Sequence, residues 1–175
     1  MRFGKIIVFV FLLIGLDMAI RIAVATFWMD VRFNIIPGLL EFKPVVNHAY
    51  SYVSGLFGLG IGYWLQLLID IFVVGLFLFL YAFIRRYGSP KRMADAAIVL
   101  LLSGALCALI IQIVWGYCLD YIYLVPLFVF DMKDLCLSTG AVLLPIALMR
   151  DEKLREIKWR HFAAYSKSLF NKNRD

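Results

Sequence analysis

The sequence predicts an all-α membrane protein with four transmembrane helices and a small β-rich cradle between the first and second helices. Of the 175 residues, 63% are hydrophobic and only 17% are charged, and the mean hydropathy is +0.87. A soluble domain is close to half apolar, so this composition excludes an ordinary soluble protein. The length allows one domain, which we place at residues 1–150, followed by a basic tail at residues 151–175.

Four apolar stretches define the predicted helices. Each approaches the roughly 20 residues that a helix needs to cross the hydrocarbon core of a bilayer. They cover residues 6–28, 57–84, 94–115 and 135–149. Arg2 and Lys5 precede the first stretch, as basic residues do in a signal peptide. The apolar run is too long for a signal peptide and no small-residue cleavage site follows it, so we expect a permanent helix.

The segment between the first two helices, residues 29–56, predicts an outer cap rather than an ordinary loop. It contains turn formers together with aromatic and β-branched residues: Pro37, Gly38, Phe42, Pro44, Val45 and Val46. This composition is typical of short strands joined by turns. Residues 117–130 are also apolar and aromatic, but their strand signal is weaker. Irregular backbone at this depth needs cover from protein or a water-filled cavity, so we expect a cavity between the cap and the helix ends.

The net charge of +6 is concentrated at the N-terminus, in the connection between the second and third helices, and in the tail. The connection carries four basic residues and no acidic one: Arg85, Arg86, Lys91 and Arg92. Basic connections stay in the cytoplasm, so we predict cytoplasmic termini and an outer location for residues 29–56. The basic tail is predicted to contact anionic lipid headgroups, and this distribution does not indicate a nucleic-acid partner.

Ionisable side chains within apolar segments indicate functional sites. Asp17 and Arg21 are four positions apart on the first helix, so they share a face and can pair. Asp70 lies deep in the second helix, and Arg21 is one candidate partner for it. These residues leave a small transporter or ion-pathway protein as one alternative. The three cysteines lack metal-ligand spacing, so no metal site is predicted.

Asp120 and Asp134 stand beside the last two apolar stretches. They are fourteen positions apart with Pro126 between them, so no single helix aligns them. If they converge, two carboxylates in one site cannot both ionise easily, and they share a proton. Such a pair can activate water and polarise a carbonyl group, as in aspartic proteases. The alternative is two independent interfacial carboxylates in water.

The order of motifs along the chain resembles the lipoprotein signal peptidases, the signal peptidase II family. Residues 15–21 resemble its leucine-aspartate motif on the first helix, with Arg21 in place of a lysine. Residues 37–47 resemble the outer segment that leads to an asparagine, here Asn47. Residues 103–106 and 116–122 resemble the end of the third helix, and residues 130–134 resemble a phenylalanine-asparagine-x-alanine-aspartate motif.

The resemblance implies a membrane aspartic endopeptidase that removes signal peptides from diacylglyceryl-modified prolipoproteins. It implies a monomer with a periplasmic cradle in the bacterial cytoplasmic (inner) membrane, working among membrane lipids without metal or organic cofactor. Asp120 and Asp134 match the catalytic pair. Asn47 would hydrogen-bond the substrate backbone or the transition-state oxygen, and Asp17 and Arg21 would brace the site.

Several positions depart from the family pattern. An asparagine, an aspartate and an arginine on the third helix are replaced by Ala108, Ile111 and Gln112, and the last motif carries Asp131 and Lys133 where the family has asparagine and alanine. A Lys133 ammonium turned toward Asp134 would favour the charged carboxylate, whereas Asp131 would oppose that effect. These changes favour an alternative, a catalytically impaired paralogue that binds a lipopeptide or an inhibitor without cleaving.

Overall fold

The computed structural model describes residues 3–47, 62–88 and 92–155. Four long helices, α1 to α4, cover Phe3–Phe27, Tyr63–Tyr87, Arg92–Val114 and Met132–Met149, and a short α5 covers Glu152–Arg155. Each of the four long helices is long and apolar enough to cross a membrane. The predicted four-helix fold class is therefore confirmed. The predicted start of the second helix at residue 57, the cap after residue 47 and most of the tail lie outside the described residues.

Helix α4 begins at Met132, earlier than the predicted start at residue 135, because a capping box forms ahead of it. The Asp134 backbone N–H donates to Asp131 Oδ1 at 3.2 Å, and the Asp131 N–H donates to Asp134 Oδ2 at 3.3 Å. Aspartate is among the preferred residues at a helix N-cap, where its oxygen satisfies a free backbone donor. The last acidic motif is thus built into the first turn of a membrane helix.

The predicted β-rich cradle is present as a four-stranded antiparallel sheet in the order β1-β2-β3-β4. Strands β1 and β2 cover Phe33–Ile36 and Leu40–Asn47, whereas β3 and β4 cover Cys118–Leu124 and Phe128–Phe130. The sheet therefore takes two strands from the segment after α1 and two from the segment between α3 and α4, whose strand signal in the sequence is weaker. Strand β3 pairs with β2. The free edge of β2 offers backbone N–H and C=O groups, and these favour an extended conformation in the segment that pairs with them.

Helix α3 is the central element of the bundle, and it contacts each of the other three long helices. It approaches α4 closely at two glycines, Gly104 on α3 and Gly140 on α4. A Cβ atom on Gly104 would lie 2.8 Å from the Lys133 carbonyl oxygen, and one on Gly140 would lie 3.0 Å from the Ala97 carbonyl oxygen. The absence of side chains at these two positions lets the backbones meet. This contact sets the first turn of α4 beside the middle of α3.

The sheet is attached to the helices by a small apolar cluster. Val24 of α1 packs with Leu119 and Tyr121 of β3, all of them almost fully buried. Gly116, between α3 and β3, has a φ of +69°, a left-handed conformation that glycine adopts without steric cost. The chain can therefore turn from α3 directly into β3. Strand β3, which carries Asp120, is an inner strand of the sheet, between β2 and β4.

Candidate active site

Asp120 lies on β3 and is almost fully buried, with 6% of the residue exposed. In the β2–β3 register, Val45 is opposite Asp120 and Asn47 is opposite Cys118. The Asn47 Nδ2 atom donates a hydrogen bond to Asp120 Oδ2 at 3.3 Å. Strand pairing therefore brings together two residues that are far apart in sequence, and the amide of Asn47 orients the carboxylate of Asp120.

Asp134 approaches from the first turn of α4. One oxygen from each of Asp120, Asp131 and Asp134 lies within 4.8 Å of the others, so the predicted convergence of Asp120 and Asp134 occurs. The Asp134 side chain is 30% exposed, whereas that of Asp120 is 9% exposed. Access to the carboxylate pair is therefore from the Asp134 side.

An apolar groove of about 200 Å³ opens beside Asp134. Its other lining residues come from the β3–β4 hairpin and from α4: Leu124, Phe128, Phe130, Leu135 and Ser138. Asp134 is the ionisable residue in the lining of this groove, and most of the other lining residues are apolar. An apolar cleft with a few polar groups is the usual form of a binding site for an apolar ligand.

The ammonium group of Lys133 lies among the three carboxylates. Its Nζ atom is 2.8 Å from Asp131 Oδ2, 3.3 Å from both oxygens of Asp134 and 3.6 Å from Asp120 Oδ1. Oxygens at such separations could hold a metal ion, but here a side-chain cation takes the central place. These carboxylates are therefore coordinated by the protein itself, and we assign them no metal.

Arg21 connects α1 to this site and is fully buried. Its Nη1 atom donates to the Leu119 carbonyl oxygen at 2.8 Å, and its Nη2 atom donates to Asp131 Oδ2 at 2.5 Å and to Asp17 Oδ2 at 3.4 Å. Asp17 and Arg21 are in contact, as their spacing indicates. The forked guanidinium group thus joins α1, β3 and the start of α4, a geometry that a lysine ammonium cannot reproduce.

Burial and charge act on the two site carboxylates outside the membrane-spanning helices in different ways. The pKa of Asp120 is raised, chiefly because burial disfavours its charged form; Lys133 lowers this pKa and Asp131 raises it again. Burial also acts to raise the pKa of Asp131, but Lys133 and Arg21 outweigh burial and hold that pKa below its usual value. Asp131 is therefore the charged anchor of the network, and Asp120 retains a proton more readily than Asp131 does.

Three contacts were not foreseen from the sequence. The Tyr121 hydroxyl accepts a hydrogen bond from the Met132 backbone N–H at 3.2 Å, which ties β3 to the start of α4. Gln112 Nε2 donates to the Tyr63 carbonyl oxygen at 2.8 Å and so joins α3 to α2. Asp70 accepts from Gln66 Nε2 at 2.9 Å, a neighbour four positions earlier on the same helix. The spacing of four residues between Gln66 and Asp70 places both on one helix face, and this was the sequence signal for their contact.

Four membrane-spanning helices, an antiparallel sheet over their ends and convergent carboxylates define a polytopic membrane protein with an acidic site. The family model described as "Signal peptidase (SPase) II" matches residues 9–150. The chain therefore belongs to the signal peptidase II family, which confirms the resemblance found in the sequence. No curated protein matches the chain significantly.

Two solved structures, both described as bacterial membrane enzymes determined by the in meso method, are similar to this chain. The one at 1.9 Å resolution has a TM-score of 0.66 and 22% identity, and the match covers 85% of this chain and 95% of that chain. The one at 2.3 Å resolution has a TM-score of 0.65 and 24% identity, with coverage of 90% and 96%. At these identities the likeness shows the fold alone.

Proposed function

We propose that the protein is a membrane aspartic endopeptidase that removes signal peptides from diacylglyceryl-modified prolipoproteins. One observation carries this proposal. Asp120 and Asp134 come from different elements and converge to within 4.8 Å beside an apolar groove. Membership of the signal peptidase II family supports the same activity and substrate class.

The carboxylate pair would act as acid and base on either side of the scissile carbonyl. The ionised member takes a proton from water while the protonated member polarises the carbonyl oxygen, and the water oxygen then attacks the carbonyl carbon. The tetrahedral intermediate breaks when the leaving amine receives a proton from the pair. The raised pKa of Asp120 supports a proton held by the pair rather than two ionised carboxylates.

The other site residues would hold this pair and the substrate in place. Asn47 orients Asp120 and lies where its amide could also hydrogen-bond the substrate backbone or the transition-state oxygen. Asp17 and Arg21 brace the α1 side, while Asp131 and Lys133 support the α4 side. The groove beside Asp134 would receive an apolar part of the substrate. The mechanism uses one monomer and routes no step through a metal or an organic cofactor.

The proposed activity is tested by incubating the purified protein, in lipid or detergent, with a diacylglyceryl-modified prolipoprotein. We expect release of an intact signal peptide, cut immediately before the modified cysteine, detected by mass spectrometry. An unmodified prolipoprotein is the control substrate and should remain uncut. Failure to release the peptide from several lipidated substrates would reject the enzymatic proposal.

A second candidate is the impaired paralogue, and the position of Lys133 favours it. The Lys133 ammonium lies 3.3 Å from both Asp134 oxygens and 3.6 Å from Asp120 Oδ1. A water attacking a substrate must approach the same two carboxylates. On this proposal the protein binds a lipopeptide or an inhibitor in the groove without hydrolysis, so a fluorescent lipopeptide would bind saturably and be recovered intact.

We also propose that the chain is a multi-pass protein of the bacterial inner membrane with both termini in the cytoplasm. The domain at residues 1–150 would end on the cytoplasmic side, and the basic tail at 151–175 would contact anionic lipids. The positive-inside distribution of lysine and arginine supports this orientation.

Cysteine labelling tests the orientation. Asp30 follows α1 and Arg92 begins α3, and both residues are exposed. In intact bacterial spheroplasts, a membrane-impermeant maleimide should label Asp30→Cys, whereas Arg92→Cys should react only after permeabilisation. The wild type is the background control, because Cys107, Cys118 and Cys136 are buried. Labelling of both variants from the same side would contradict the proposed topology.

A further inference from the structure

Four buried charged side chains form a row of alternating sign from α1 to the carboxylate pair. The row runs Asp17, Arg21, Asp131 and Lys133, and successive members are 3.4, 2.5 and 2.8 Å apart. All four residues are buried, with between 0% and 6% of each exposed. Two negative and two positive charges cancel, so the row as a whole adds no net charge to the site.

Asp131 is the member that joins the two cations. Its Oδ2 atom accepts from both Arg21 and Lys133, while its Oδ1 atom accepts from the Asp134 backbone N–H. Both oxygens are thus occupied by donors. Lys133 has donors left over, and these contact Asp134 and face Asp120 at 3.6 Å. The row therefore ends at the carboxylate pair, with the positive charge of Lys133 nearest to it.

We propose that Asp131 and Lys133 form a matched charge pair of positioning residues that sets the protonation of Asp120. Lys133 contacts Asp134 and lies near Asp120, which holds the two carboxylates close together. Asp131 cancels enough of the added positive charge for the pair to keep the proton that acid catalysis requires. This inference deepens the proposed function and rests on it in treating Asp120 and Asp134 as the acid and base.

The charges around Asp120 come from every element packed against the site. The charged groups are Asp17 and Arg21 on α1, Asp70 on α2, and Asp131, Lys133 and Asp134 at the start of α4. Cys118 and Tyr121 on β3 are titratable but uncharged neighbours, because burial raises the pKa of each. Arg21 contacts Asp17 as well as Asp131, so it is already paired when Asp131 is neutralised. Substituting Asp131 or Lys133 singly therefore changes the net charge beside Asp120 by one, in opposite directions.

The test is an infrared titration of the purified protein, in which the band of protonated carboxyl groups is followed as a function of pH. The component of this band that disappears in Asp120→Asn is assigned to Asp120, and only that component is analysed. In Asp131→Asn the unbalanced ammonium favours the charged carboxylate, so Asp120 should lose its proton at a pH lower by about one unit or more. In Lys133→Ala it should lose the proton at a higher pH by a similar amount. In the double variant the midpoint should return close to that of the wild type.

Asparagine keeps the N-cap function at position 131, and Lys133→Met replaces the alanine variant if the latter does not elute as a folded protein. Shifts in the same direction, absent shifts, or a double variant that fails to return would overturn the matched pair. A purely structural role would not produce opposite shifts that cancel. The titration does not depend on cleavage, so the two proposals can fail separately. Opposite shifts in a protein that does not cleave would reject the proposed activity and support the matched charge pair of Asp131 and Lys133. Cleavage without these shifts would reject only the matched charge pair.

Discussion

Replacing Asp120 or Asp134 with asparagine should lower the rate of prolipoprotein cleavage by about a hundredfold or more, because each variant removes an essential acid or base. Asparagine has nearly the same shape as aspartate. Its carbonyl oxygen can still accept from Asn47 at position 120, or from the Asp131 backbone N–H at position 134. The fold should therefore persist while the chemistry is lost.

The rate is measured from the release of signal peptide by each purified variant under identical lipid conditions. Asp30→Asn is the matched control, since it removes an exposed carboxylate from the loop after α1 and should cleave like the wild type. If either site variant kept more than about a tenth of the wild-type rate, the assignment of that aspartate would be wrong.

Replacing Arg21 with methionine should destabilise the protein by about 3–5 kcal/mol, the usual cost of removing one partner from a buried ion pair. Methionine fills part of the volume but supplies no donor. The variant would leave the Leu119 carbonyl oxygen and the carboxylates of Asp17 and Asp131 without the guanidinium group that contacts all three. The site and the attachment of α1 to the sheet should weaken together.

The free energy of unfolding is measured by titrating SDS into mixed micelles and following tryptophan fluorescence. Arg32→Met removes an exposed arginine and should stay within about 0.5 kcal/mol of the wild type, as most surface substitutions do. Arg21→Lys should fall between the two, because lysine keeps the charge but lacks the fork. A stability for Arg21→Met equal to that of Arg32→Met would show that the buried row is not a structural element.

The helices of this protein could be predicted from the sequence alone. A segment that crosses a bilayer must be long and apolar and must satisfy its own backbone hydrogen bonds, so it is recognisable by its hydropathy. Hydropathy located all four, and the signature motifs identified the family, which the match over residues 9–150 confirms. The start of α4 at Met132 lies three residues before the predicted start at residue 135, because its first turn is polar and the capping box at Asp131 extends it.

The sheet was only half predictable. Residues 33–47 carry their own strand and turn signals, whereas residues 118–124 pair with β2 and residues 128–130 pair with β3. Strand formation depends on neighbours more than on local preference. The contact between Asn47 and Asp120 follows from this pairing, so no local pattern in either segment could reveal it.

The carboxylate pair was found from the sequence, because carboxylates beside membrane helices are costly enough to suggest a use. What surrounds the pair was decided by the tertiary structure. The close approach of α3 and α4 at Gly104 places the first turn of α4 beside the middle of α3, and the guanidinium group of Arg21 reaches Asp131 from α1. The position of the Lys133 ammonium among three carboxylates depends on the packing of these elements together, since electrostatic balance at a buried site is set by distances that no single segment contains.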